Sequence, residues 1–252
     1  MKYLIKWFIK RINKSPRLYD FYFKLLKRIL GVMEVSEISH ATNCEDIIAS
    51  FYCKKAGFFV DIGAYDPIRF SNTYSLYQSG WKGINIDPRK DCMKKFDLFR
   101  KNDINLNIGI SDKPGELVYY AFEEPAYNTV DEERGEFVIN QGYSPLIDKY
   151  KVDVLTLKDV LEKYLPLGQK IDFLALDVET FEINVLKSND WDKYRPYFIA
   201  MESLMNYQNG YDIAKIDEDA AVKFLLNRDY KMVGKLRNKI FFIDKTAAAQ
   251  YD

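Results

Sequence analysis

From residue 57 onward, short apolar runs alternate with amphipathic stretches, the pattern of parallel strands joined by crossover helices. Runs at 58–62 (FFVDI), 83–87 (GINID), 104–110 (INLNIGI), 171–177 (IDFLALD) and 197–202 (YFIAME) predict strands. Helices are expected between them. Pro88 suits the first turn of the second helix, where a missing N–H costs nothing, and the fourth helix is placed at 180–188. A polar, aromatic insert at 116–150 separates the third and fourth strands; it starts as a short strand, LVYYA, and then loosens. Residues 152–165 read as a short strand running into a helix, with Thr156 as N-cap and Asp159 in the capping-box position. The closing DYKMVGKLRNKIFFID, two short runs around a basic turn, predicts an antiparallel hairpin.

A chain of 252 residues that is 48% hydrophobic and 15% aromatic has ample material for one sizeable α/β domain. Its 37 basic and 37 acidic side chains cancel, so no global field points to nucleic acid as the partner. The balance is uneven: residues 1–30 carry nine Lys or Arg against Asp20 alone, a local net of +8, which leaves −8 for the rest. In this stretch MKYLIKWFIKRI and FYFKLLKRIL predict a basic amphipathic helical arm at 1–34, ahead of a domain at 35–252. Such an arm suits an anionic membrane surface, with its aromatics at headgroup depth; packing on the domain or on a second subunit is the alternative. Lys6, Lys10 and Arg11 interrupt any signal-peptide core, and no apolar stretch approaches a membrane span. Cys44, Cys53 and Cys92 are odd in number and lack CxxC spacing, so a reducing, cytoplasmic location is expected, without a disulfide framework or zinc site.

The candidate chemistry lies at the strand ends. Strand 58–62 runs into DIGAYDP, where Asp61 and Gly63 precede a helix: glycine lets the backbone approach a ligand, and a helix N-terminus offers N–H donors to a carboxylate or phosphate. A dinucleotide loop carries three glycines where this one has a single glycine, which argues against a nicotinamide-dependent oxidoreductase and for a smaller ligand bearing a carboxylate. Asp87 ends the second strand and can accept both hydrogen bonds of a ribose diol, while Ile110 and Ser111 at the end of the third can flank an adenine. Ligands gather at such carboxyl ends in open α/β sheets.

With GFFVDIGAYDPIRFSNTYSLYQSGWKGINIDP (57–88), AYNTVD (126–131) and IDFLALDVETFEINVLKSNDWDKYRP (171–196), the chain resembles the FkbM family of S-adenosylmethionine-dependent methyltransferases, from about Ser39 to about Leu204. The resemblance implies a Rossmann-like seven-stranded methyltransferase sheet with the last strand antiparallel, and O-methylation of sugar or polyketide hydroxyls. It implies that Asp61, Gly63, Ala64 and the run Ser71, Asn72, Thr73 hold the methionine end of the cofactor, with Tyr65 beside it and Asp87 on the ribose. An acidic segment upstream of the first strand, matched by SHATNCED, implies that Glu45 and Asp46 close the pocket. Two departures stand out: Tyr65 and Pro67 replace small residues in the loop, and Thr180 stands where a glycine is expected after DVE.

Methyl transfer to an alcohol needs an aligned oxygen and a proton acceptor or metal to activate it. Asp177 ends the fourth strand, Glu179 and Glu182 follow it, and Glu202 ends the fifth. Asp177 or Glu179 is a candidate base; alternatively Asp177 and Glu202 hold a Mg²⁺-type ion, or Glu179 and Glu182 are ordinary first-turn acids. Glu182 reads as structural, and His40, the only histidine, is a second candidate base. Tyr119, Tyr120, Tyr127 and Tyr143 in the insert suit stacking on a sugar acceptor, and Asn128 and Thr129 offer polar contacts. The expectation is an O-methyltransferase acting on a sugar or glycan hydroxyl, surface polysaccharide or lipid-linked glycan included; the alternative is a non-catalytic S-adenosylmethionine-binding module.

Overall fold

The computed structural model describes residues 38–53, 56–204 and 213–247; the basic arm expected at 1–34 lies outside them. Among the described residues no helix is long and apolar enough to cross a membrane. In chain order the elements are α1 (Glu45–Cys53), β1 (Phe58–Ile62), α2 (Tyr74–Gln78), β2 (Lys82–Ile86), α3 (Lys90–Phe99), β3 (Ile104–Leu106), β4 (Gly109–Ile110) and β5 (Gly115–Phe122). They continue with α4 (Glu132–Gln141), β6 (Leu146–Leu155), α5 (Leu157–Tyr164), β7 (Phe173–Leu176), α6 (Glu182–Lys187), β8 (Phe198–Glu202), α7 (Ala220–Leu226), β9 (Tyr230–Leu236) and β10 (Lys239–Asp244).

Seven strands form one sheet in the order β3-β2-β1-β7-β8-β10-β9. Neighbours from β3 to β8 are parallel, and β10, the last strand in sequence, runs antiparallel between β8 and β9. This is the Rossmann-like α/β arrangement with a reversed final strand. Strand alternation divides the core into two faces. Val60, Ile62, Leu174, Leu176, Ile199 and Met201 point to the side covered by Leu157 and Leu161 of α5, Val185 of α6 and Val222 of α7. Phe59, Phe173, Ala175, Phe198 and Ala200 face the other side, with Ala49 and Cys53 of α1 and Leu76 of α2. Because both faces are covered, these strands read as continuous apolar runs, which is why they stand out in the sequence.

Two expectations are corrected. The strand expected at 104–110 is two strands in different sheets: β3 pairs with β2, whereas β4 pairs in parallel with β6 in a second, three-stranded sheet ordered β4-β6-β5. The ladder with β2 runs out at Leu106, whose carbonyl takes the Asp87 N–H. The Asn107 amide then donates to the Asp87 carbonyl at 3.1 Å and turns the chain away. The insert does not loosen after LVYYA. β5 spans eight residues and pairs with the ten residues of β6, and α4 fills the connection, capped by Asp131 on the Arg134 N–H. The first six residues of β6 are exposed, so its apolar alternation is weak and only its end, near 152, announces a strand. The Thr156 cap is present, accepting the Asp159 N–H.

Arg100, at the end of α3, is fully buried. Its guanidinium pairs with Asp103 at 2.9 Å and donates to the Pro67 carbonyl and to the Thr73 carbonyl and hydroxyl, with the Phe59 and Tyr77 rings against its faces. It thereby pins the segment that follows β1. Removing one partner of a buried pair strands the other charge, so Arg100→Met is expected to cost about 3–5 kcal/mol in urea denaturation. A loss below about 1 kcal/mol would contradict this role.

Candidate active site

The segment after β1 turns at Gly63, whose φ is +80°. A Cβ there would lie 1.8 Å from the Asp177 carbonyl oxygen, so only glycine lets the end of β1 pass the end of β7. The Gly63 and Ala64 N–H groups both donate to the Ile86 carbonyl, which ties the turn to β2. Beneath it Asp61 is fully buried and accepts the Thr73 hydroxyl at 2.8 Å; burial, only partly offset by that bond and by Arg100, pushes its carboxyl up to about 6. Ser71 is buried too and accepts the Thr73 N–H, so Asn72 is the member of the SNT run that reaches the cleft.

That cleft opens to solvent at the carboxyl ends of β1, β2 and β7, and spans about 950 Å³ with the open solvent at its mouth included. Gly63, Tyr65, Phe70 and Asn72 line it from the first loop, Ile86, Asp87 and Arg89 from the second, and Ile108 and Ile110 from the third. The Asp87 carboxylate accepts the Tyr65 N–H at 3.1 Å, the Arg89 N–H at 2.8 Å and the Arg89 side chain at 3.3 Å. A carboxylate offers about four lone-pair sites, so one remains for a ligand hydroxyl and a second becomes available if Arg89 turns aside.

The opposite wall ends in an acidic rim, of which Asp177 and Glu179 line the cleft and Glu202 lies buried behind them. Asp177, Glu179 and Glu202 each present an oxygen within 4.8 Å of the others. Lys239, the first residue of β10 and the cross-strand partner of Glu202, sends its buried ammonium among them, 2.5 Å from Asp177 and 3.4 Å from Glu202. Burial raises Asp177, but the Lys239 charge together with hydrogen bonds from Glu202 and Lys239 holds that carboxyl below the usual range. Glu202 is driven well above its usual range, by burial first and then by the Asp177 charge. Glu179 is pushed up to about 7, by burial first and then by Asp177, with Arg134 pulling the other way. Glu182 accepts the Val178 N–H at 3.1 Å, a structural bond that fixes this loop.

The insert closes the cleft through Tyr119, Pro125, Ala126, Asn128, Thr129 and Val130. It is fastened to the loop after β7 at three points. Thr129 donates to the Glu179 carbonyl at 3.2 Å, Arg134 pairs with the Glu179 carboxylate at 3.0 Å, and the Thr180 hydroxyl donates to Asp131 at 2.8 Å.

The expected site residues therefore divide. Gly63, Tyr65, Asn72, Asp87, Ile110, Asp177 and Glu179 line the cleft. Asp61, Ala64, Ser71 and Thr73 lie behind its wall, and the Ser111 hydroxyl turns to Asp112. Glu45 and Asp46 are wholly buried behind the rim, not in the cleft: Glu45 accepts the Asn43 N–H, and Asp46 accepts Ser39, Ser75 and the His40 N–H. His40 bonds Ser75 through Nδ1 and packs edge-on against Tyr74, outside the cleft lining. Of the four tyrosines, Tyr119 alone lines the cleft. Tyr120 packs against Gly135 and under Lys149, and Tyr127 stacks on Tyr143.

The family pattern of the methyltransferase FkbM domain matches residues 61–232, more than half of the chain. The chain belongs to the FkbM methyltransferase family. No curated protein matches it. Among solved structures it is similar to the methyltransferase FkbM from Methylobacillus flagellatus KT, at 12% identity and a TM-score of 0.42, over 75% of this chain and 43% of that one. It thus spans less than half the length of that protein. It is also similar to a precorrin-6y C5,15-methyltransferase from Geobacter metallireducens GS-15, at 11% identity and a TM-score of 0.37, over 83% of this chain and 92% of that one.

Membership of the FkbM family implies the use of S-adenosylmethionine, and the donor set of the cleft fits that cofactor. Asp87 keeps acceptor capacity for a ribose hydroxyl, Ile86, Ile108 and Ile110 supply an apolar slot for adenine, and Asn72 with the Gly63 turn suits the methionine end. The two departures from the family pattern have a conformational meaning, since Tyr65 at φ +59° and Thr180 at φ +82° both hold left-handed backbone that glycine adopts freely. In this FkbM domain Thr180→Gly is therefore expected to be about 1 kcal/mol more stable than Thr180→Ala by thermal denaturation, although both lose the hydroxyl. The ordinary order, alanine above glycine, would contradict the strain.

Residues missed in the sequence are the cations. Lys239 sits in a basic turn, KLRNK, and only the β8–β10 register turns it inward. Arg134 lies one turn into a helix that the sequence pattern does not announce. The local signal for Arg134 was Asp131 followed by two acids, an N-cap signature.

Proposed function

We propose that this FkbM domain transfers the methyl group of S-adenosylmethionine to a hydroxyl of a sugar or glycan. The observation that carries the reading is the Glu179 carboxyl, raised to about 7 on the wall of a cleft whose other side suits the cofactor. An alcohol oxygen is a weak nucleophile, and a proton acceptor with a pKa near the working pH activates it best. When bound, the cofactor would supply a sulfonium methyl carbon open to attack by an oxygen nucleophile, with the carbon–sulfur bond breaking to release S-adenosylhomocysteine. Glu179 takes the hydroxyl proton as the oxygen–carbon bond forms, while Asp177, kept ionised by Lys239, accepts a hydrogen bond and orients the acceptor. Thr129, Arg134 and Asp131 hold the Glu179 loop in place. Tyr119 and Phe70 offer ring faces for a pyranose and Asn128 a polar edge, which supports a sugar rather than a flat apolar acceptor.

The test is transfer of label from methyl-tritiated S-adenosylmethionine into an extracted glycan pool. Label that survives base, as an ether does, is the expected result. Cofactor binding without transfer to any pool would favour the non-catalytic module.

A further inference from the structure

The cation of the acidic rim is part of the chain. We infer that the Lys239 ammonium stands where a divalent metal would otherwise be needed, so that the three rim carboxylates work without one. Asp177, Glu179 and Glu202 converge closely enough to ligate a hard ion. Two of those groups already hold Lys239, which is 2.5 Å from Asp177 and 3.4 Å from Glu202, with Glu45 adding its field from behind. A metal bound to those oxygens would press a second positive charge against a buried ammonium.

The surrounding network is built around the ammonium. Asn238, next to Lys239, donates to Glu202 Oε1, and the Asn43 amide donates to Asn238 at 3.3 Å, which joins the segment ahead of α1 to the rim. Lys239 enters from the start of β10, where its pairing with Glu202 is fixed by the antiparallel register. A lysine there supplies one positive charge at a fixed place, in direct contact with the Asp177 carboxylate. Lys239 is thus a positioning residue acting through Asp177. Only that last step rests on the methyl-transfer reading; the exclusion of metal does not.

The test is direct titration with Mn²⁺, followed by the loss of its free electron paramagnetic resonance signal. The wild-type chain is expected to leave the signal unchanged. Lys239→Gln, which keeps three carboxylates without their cation, is expected to bind Mn²⁺ at least about tenfold more tightly than wild type, and adding Asp177→Asn should abolish the gain. Lys239→Arg, which restores a cation, should remain indifferent to metal. One-to-one binding by the wild-type chain that Asp177→Asn removes would overturn the inference, and so would a folded Lys239→Gln that binds no Mn²⁺. The wild-type titration needs no variant, so it decides even if Lys239→Gln does not fold. Failure of S-adenosylmethionine binding is a separate result and leaves these readouts intact.

Discussion

Replacing Gly63 with alanine is expected to weaken binding of S-adenosylhomocysteine at least about 100-fold, near 2.7 kcal/mol. The left-handed backbone alone would cost about 1–2 kcal/mol. The larger effect is steric, because the new Cβ would lie 1.8 Å from the Asp177 carbonyl oxygen. Neither side can yield cheaply: the Gly63 N–H is bonded to Ile86, and the Asp177 N–H is bonded to the Ile62 carbonyl at 3.0 Å. Relief must come from moving the loop that carries Tyr65 and Asn72, so the cofactor wall distorts while the sheet persists. Calorimetric titration beside a circular dichroism spectrum separates these outcomes. Affinity within about threefold of wild type in a folded variant would show that the turn does not shape the cofactor site.

Glu179→Gln should lower kcat by about 10²–10⁴ and leave cofactor affinity unchanged, because an amide is isosteric but accepts no proton. The sign of the pH dependence follows from the raised carboxyl. With its pKa near 7, about one-tenth of the enzyme has an ionised Glu179 at pH 6, so the wild-type rate should climb through pH 7 and level off above pH 8. The variant should lose that rise. Arg134 opposes the upward shift, so Arg134→Met is expected to carry the rise to higher pH. A Glu179→Gln variant within about threefold of wild type would move the proton acceptor to another group of the rim, with Asp177 next in line.

What was legible in the sequence follows the physics of burial. Strands β1, β2, β7 and β8 are covered on both faces, so their runs are mostly apolar and their ends locate Asp61, Asp87, Asp177 and Glu202. The terminal hairpin was equally plain from its basic turn. The insert was not, because β6 exposes most of its length and its pairing with β5 spans many residues. Asp61 and Glu202 fall at strand ends on the same face as Asp177, yet neither lines the cleft: Asp61 is bonded to Thr73 beneath the Gly63 turn, and Glu202 is held by Asn238 and Lys239. Lys239 and Arg134 were invisible for another reason: a buried cation is defined by what surrounds it, and its partners lie 62 and 45 residues away in the chain.

Binding of S-adenosylmethionine in the cleft is tested most directly by calorimetric titration of the wild-type chain with S-adenosylmethionine and S-adenosylhomocysteine. One-to-one, saturable binding of both, retained in Glu179→Gln and lost in Gly63→Ala, is the predicted result. The absence of binding by either compound to the folded wild-type chain would contradict it.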